Sequence, residues 1–148
     1  MNTAPKVEYI VVRANAAEPR YMSAGSAGAD LFACLDEAII LEPKAFATIP
    51  TGIAMAIPVG WEGEVRPRSG LASRFGVTVL NAPGTIDSDY RGEVKVILIN
   101  HGRVPLTINS GDRIAQILIK PAIRANYVVS SELDKSERGE GGFGSTGK

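Results

Sequence analysis

The chain has one histidine, His101, and one cysteine, Cys34, in 148 residues. That scarcity removes most of the material for histidine-based catalytic triads and for His/Cys zinc sites. A single cysteine cannot cross-link the chain to itself, which favours a reducing compartment. Cys34 lies in the apolar run Leu31-Phe32-Ala33-Cys34-Leu35 and reads as a small core hydrophobe. Neither sign of charge is in excess, because sixteen Lys and Arg offset sixteen Asp and Glu. A surface that coats nucleic acid needs a basic surplus, so nucleic acid is not an expected partner. No apolar run approaches the ~20 residues of a membrane helix, so no membrane partner is expected either. Glu8 and Glu18 sit in an N-terminal stretch without a signal-peptide core. The expectation is a cytoplasmic protein whose chemistry, if it is an enzyme, rests on carboxylates, arginines and a bound metal.

What is present is strand and turn. Strand-like runs recur at Val7–Val12, Ala29–Ala33, Ala38–Leu41, Phe46–Ile49, Gly52–Ile57 and Glu62–Arg66. They continue at Val77–Leu80, Glu93–Asn100, Val104–Ile108, Arg113–Lys120 and Asn126–Val129. Pro and Gly punctuate them at Pro43, Pro50, Pro58, Gly60, Pro83, Gly84, Pro105, Gly111 and Pro121. Many short strands with regular turn signals indicate a sandwich, barrel or jelly roll. Only Ser69–Phe75 offers a helix, with Ser69 placed as its N-cap and Gly76 as its stop. The expected fold is all-β with one short helix. Residues 1–133 form its core domain, and residues 134–148 form a Gly-rich tail, mobile when free.

Within that frame, Gly84-Thr85-Ile86-Asp87-Ser88-Asp89-Tyr90-Arg91-Gly92-Glu93 stands out. A hairpin needs only turn residues, such as Asn-Gly, between alternating strands. Here the turn carries two acids able to act as bases or metal partners and an aromatic plate; alternatively, the acids make local turns and Tyr90 packs on the core. Asp30 opens a strand after Ala27-Gly28-Ala29, as a site residue or a turn cap. Arg66-Pro67-Arg68-Ser69-Gly70 brings two arginines and a hydroxyl to a helix start, suited to phosphate or simply to a capped helix with surface ion pairs. Asn81 is placed to read a base edge or to make a turn. Arg113 and Gln116 point to opposite faces if alternation is strict, giving one structural and one ligand role.

The tail matches two well-known patterns. Gly139–Gly144 satisfies G-x-G-x-x-G, and Gly142–Lys148 the P-loop spacing. Both work only between a strand and a helix, and no helix is expected here. The chemistry they share still applies: glycines let backbone N–H groups form an anion-binding nest. Arg138, Ser145 and Thr146 add donors and Phe143 a stacking face. A merely solubilising tail is the bland alternative.

Taken together, five segments in this order resemble the five motifs of the trimeric dUTP pyrophosphatase (dUTPase) family. They are 27–33, 66–73, 81–93, 111–116 and 138–147, and they span nearly the whole chain. The resemblance implies a jelly-roll-like β-barrel that forms a homotrimer with a swapped C-terminal tail, each active site being built from three chains. It implies Mg²⁺-dependent hydrolysis of dUTP to dUMP and pyrophosphate, which keeps uracil out of DNA and supplies dUMP for dTMP synthesis. By that similarity Asp87 is the catalytic base, aiming water at the α-phosphorus. Asn81, Thr85, Ile86 and Lys95 read uracil, and Tyr90 lies against the deoxyribose where a 2′-hydroxyl would sit. Arg68, Ser69, Gly70 and Gln116 hold phosphates, and Asp30 meets Mg²⁺ through water. Phe143 of the tail stacks on uracil, while Arg138, Gly144, Ser145 and Thr146 complete the substrate site. The rival readings are a dCTP deaminase, which would release ammonia, a nucleotide sensor without turnover, and a barrel without ligand.

Overall fold

A computed structural model describes residues 4–145. Its strands are β1 (Glu8–Val11), β2 (Ala29–Phe32), β3 (Ile39–Leu41), β4 (Phe46–Ala56) and β5 (Trp61–Arg66). The helix α1 (Ser69–Phe75) follows, then β6 (Val77–Val79), β7 (Gly84–Ile86), β8 (Glu93–Asn100), β9 (Leu106–Ile108) and β10 (Arg113–Pro121). All pairings are antiparallel. One sheet runs β1-β4-β8-β6, a second β2-β10-β5-β7, and β3 pairs with β9 apart from both. Both four-stranded sheets feed one apolar cluster that includes Leu31, Ile49, Ile53, Val65, Leu98 and Ile114. Each large side chain buried in it stabilises the fold by ~1.5–3 kcal/mol. The architecture is the jelly-roll-like β fold expected, with one short helix.

Several local expectations change. Phe46–Ile49 and Gly52–Ile57 form a single strand, β4, because the register shift between Pro50 and Ala54 absorbs the proline and glycine without ending the ladder. Gly84–Ile86 is a strand rather than only a turn, since β5 offers it a partner. Asn126–Val129 is not a strand, and Tyr127, Val128 and Val129 are exposed. The N-cap of α1 is Arg68, not Ser69, and no side chain caps it. Gly76 does stop the helix, in the left-handed region at φ 69°.

The end of β8 is tied down by a buried amide. Asn100, fully buried, donates through Nδ2 to the Leu41 and Val104 carbonyls (2.9 Å each), and its Oδ1 accepts from Gly102 N–H at 2.8 Å. The end of β3 and two points of the loop after β8 thus converge on one side chain. Asn100→Leu, close in volume, strands those groups at ~1–3 kcal/mol each where water cannot reach them. Chemical denaturation should therefore show a loss of roughly 3 kcal/mol or more by the same count; a loss below ~1 kcal/mol would mean solvent replaces the amide.

Candidate active site

Two separate cavities hold the residues singled out from the sequence. The first, about 330 Å³, is lined by Asp30, Arg68, Ser69, Gly70, Arg113 and Gln116 among others. Its members come from adjacent elements, since β10 lies between β2 and β5 with Gln116 opposite both Asp30 and Arg66. Arg68, Ser69 and Gly70 follow where the chain leaves β5 for α1. Asp30 is the anionic centre, nine-tenths buried. Its Oδ2 lies 3.2 Å from Nη1 of Arg113 and 3.6 Å from Nε of Arg68. Arg68 also donates to the Arg113 carbonyl at 3.0 Å, and Gln116 Nε2 to the Pro67 carbonyl at 3.0 Å. One carboxylate between two guanidiniums leaves a net positive cavity, fit for an anion.

Arg113 and Gln116 line this cavity together, against the expectation of opposite faces. The register shifts between Arg113 and Ala115, so Ile114 and Ala115 are both buried and the alternation restarts one residue late. Arg113 therefore belongs to the site more fully than its sequence position suggests. Its only sequence signal is its place beside Gln116, because a bulge leaves no mark in composition.

The second cavity, about 250 Å³, is lined by Thr85, Ile86, Asp87, Tyr90, Glu93 and Lys95, with Thr48, Val94 and Ile97. It lies where the chain crosses from β7 in one sheet to β8 in the other. The connecting turn is held through backbone oxygens. Tyr90 N–H donates to the Asp87 carbonyl (3.1 Å), Arg91 Nη1 to Ser88 and Tyr90, and the Tyr90 hydroxyl to the Glu93 carbonyl (3.0 Å). These contacts leave the exposed Asp87 carboxylate without a side-chain partner among the described residues. Asn81 stands beside the start of β7 with its amide over Gly84.

Glu93 joins the site without having been expected there. Its Oε1 accepts from Arg13 Nε at 2.7 Å and from Gly52 N–H at 2.9 Å, and Lys95 Nζ lies 3.8 Å from Oε2. Burial works against its charged form, but the Arg13 bond, the Gly52 bond and the nearby cations outweigh it and hold the carboxyl below the usual range. The clamp thus contributes fully above the ordinary glutamate pKa and is lost only as pH falls through the lowered value. The sequence separation from Arg13 is why no local pattern reveals it.

The two cavities share no lining residue. Nor does the described part of the tail, up to Ser145, enter either one. Arg138 Nε donates to the Gly141 carbonyl at 2.6 Å, Phe143 is wholly exposed, and Gly144 and Ser145 are exposed beside it. Gly139, Phe143 and Gly144 take positive φ, as inward-turning backbone requires. Thr146 lies outside the described residues. Among those described, no three or more of His, Cys, Asp and Glu gather into a metal cage.

Comparison with known proteins gives the chain its relatives. The dUTPase family model matches residues 14–147. A deoxyuridine 5′-triphosphate nucleotidohydrolase from Desulfotalea psychrophila is 53% identical over 146 residues, covering 96% of this chain and 97% of that protein. The Staphylococcus bacteriophage 80alpha dUTPase with dUPNHPP is 28% identical, covers 100% of both chains and superimposes with a TM-score of 0.87. A mutant dUTPase from phage phi11 of S. aureus, described with a structural Mg(II) ion, is 25% identical at a TM-score of 0.78, covering 86% of this chain and 97% of that one.

Neutralising the anion in the first cavity provides a test. Asp30→Asn leaves Arg68 and Arg113 without their shared counter-charge. In metal-free buffer the variant should bind pyrophosphate several-fold more tightly than the parent by titration calorimetry. Weaker binding would mean the carboxylate mainly orients the two guanidiniums.

Proposed function

Since the chain belongs to the dUTPase family and is a dUTP diphosphatase, we propose that it turns dUTP into dUMP and pyrophosphate at a site assembled from three chains, with Asp87 as general base. The observation that carries this reading is the split. On one chain the free carboxylate lines one cavity and the phosphate-binding groups line another, with no residue in common. Neighbouring copies that bring the two halves face to face would let one triphosphate nucleotide meet both. Two exposed features support assembly. β1 is a sheet edge unpaired on its outer side, with Ile10 and Val11 exposed. Beyond Ala122, whose N–H donates to the Gly60 carbonyl at 2.9 Å, residues 123–133 display Ile123, Tyr127, Val128, Val129 and Leu133. An apolar arm and an open edge are complementary in a closed ring, where one copy's arm lies on the next.

In the assembled site, Asp87 takes a proton from water as the water oxygen attacks the α-phosphorus. The bond from that phosphorus to the bridging oxygen of the β-phosphate breaks, and pyrophosphate leaves with the electron pair. A positioned base supplies ~10²–10⁴-fold, roughly 3–5 kcal/mol. Preorganised donors on the phosphates must supply the rest at ~3–4 kcal/mol each. Arg68, Ser69, Gly70 and Gln116 have that role, joined from the tail by Arg138, Gly144, Ser145 and Thr146. Thr85, Ile86, Lys95 and Asn81 read uracil, Phe143 covers it, and Tyr90 fills the space of a 2′-hydroxyl.

Asp30 is the residue that would meet Mg²⁺, through water the ion retains beside the substrate phosphates. Bound there, Mg²⁺ neutralises triphosphate charge and fixes its geometry.

Asp87→Asn should lower kcat at least ~100-fold with dUTP affinity nearly unchanged, as loss of a base requires. Turnover within tenfold of the parent would remove Asp87 from that role. The shared site has its own test. Asp87→Asn chains and chains truncated after Glu137 should each be nearly inactive. Refolded together in equal amounts, they should regain about a quarter of parental activity, because ~1/4 of randomly assembled sites receive an intact base from one chain and an intact tail from another. Mixed trimers that stay inactive would place both parts on the same chain.

A further inference from the structure

Tyr90 is held by its own turn more tightly than a plate in a cavity wall requires. Its hydroxyl is spent within the chain, donating to the Glu93 carbonyl at 3.0 Å. The ring folds back over Gly92 so closely that a β-carbon there would stand 2.6 Å from Cζ and 3.0 Å from Cε2, with the hydroxyl nearer still. No side chain is tolerated beneath that ring without moving it. The carbonyl that receives the hydroxyl is itself fixed, since the Glu93 carboxylate is clamped by Arg13 Nε at 2.7 Å and Gly52 N–H at 2.9 Å. Arg13 follows β1 and Gly52 lies within β4, so the turn is anchored to strands other than the two it joins.

We propose that Gly92 and Glu93 are specificity-determining residues that act through Tyr90: Gly92 makes room for the folded-back ring, and the Glu93 clamp fixes its height against the sugar. This rests on the reading of Tyr90 as the wall against a 2′-hydroxyl. A wall discriminates only as well as it resists displacement. A ring free to tilt admits the ribonucleotide, while a ring fixed at both its hydroxyl and its underside does not. Neither residue touches the reacting atoms; both are positioning residues.

The test is kcat/KM for dUTP and UTP in the parent, Tyr90→Ala, Gly92→Ala, Glu93→Ala and Glu93→Gln, with Gly92→Ala repeated in the Tyr90→Ala background. Gly92→Ala should lower the dUTP:UTP ratio on the order of tenfold, out of the ~10²-fold that rejection of one added hydroxyl by shape alone provides. Glu93→Ala should lower it less. Glu93→Gln, which still offers an oxygen to Arg13 and Gly52, should keep most of it. In the Tyr90→Ala background, Gly92→Ala should leave the ratio where Tyr90→Ala put it, the signature of two residues acting as one. A role confined to folding would depress both substrates alike in either background. If Tyr90→Ala lowers the ratio and Gly92→Ala, folded by its thermal melt, does not, this inference is overturned while the Tyr90 reading stands. If Tyr90→Ala itself leaves the ratio unchanged, the Tyr90 reading fails and this inference with it. Should Glu93→Ala not fold, Gly92→Ala and Glu93→Gln still decide the outcome.

Discussion

The register of β8 is the constraint on which most else depends. Val94, Val96, Leu98 and Asn100 are buried while Glu93, Lys95, Ile97 and Ile99 alternate outward, and the strand is paired on both sides, with β4 and β6. A slip of one residue would exchange the two sets and bury Lys95. The strand is pinned against that slip at both ends by polar side chains, Glu93 reaching Arg13 and Gly52 at one and Asn100 gathering three backbones at the other. The crossover turn that carries Asp87 and Tyr90 leads straight into this strand.

The cavities divide the electrostatic work. The one around Asp30 holds two guanidiniums and a helix start against one carboxylate, a place for multivalent anions. The one around Tyr90 mixes Thr and apolar surface with two carboxylates, Asp87 and Glu93, and with Lys95. A nucleotide triphosphate carries its charge on the phosphates, which the Asp30 cavity suits, with a weakly polar base and sugar beyond them.

What was legible in the sequence was what is local. Alternation marked β8 and β10, Gly76 marked the helix stop, and the acid-rich turn after Ile86 was conspicuous against ordinary hairpin chemistry. What was hidden depends on partners far along the chain. β7 is three residues long and exists because β5 pairs with it. The bulge at Arg113–Ala115 turns two residues of unlike parity onto one face. The Arg13–Glu93 pair spans most of the first sheet. Asn126–Val129 has strand composition but finds no partner within its own chain, so propensity alone misassigned it.

The unpaired outer edge of β1 carries a cost in the crowded conditions of synthesis. It presents free backbone donors and acceptors flanked by apolar side chains, and the apolar arm follows the barrel in chain order. Each new molecule therefore displays an open edge while the rest of its chain is still being made. During that interval it meets other half-made copies whose edges are equally open. Correct docking then competes with edge-to-edge stacking, a race set by concentration and temperature rather than by the stability of the finished fold. Yield of soluble protein, not catalytic strength, is the property most exposed to small changes along this edge.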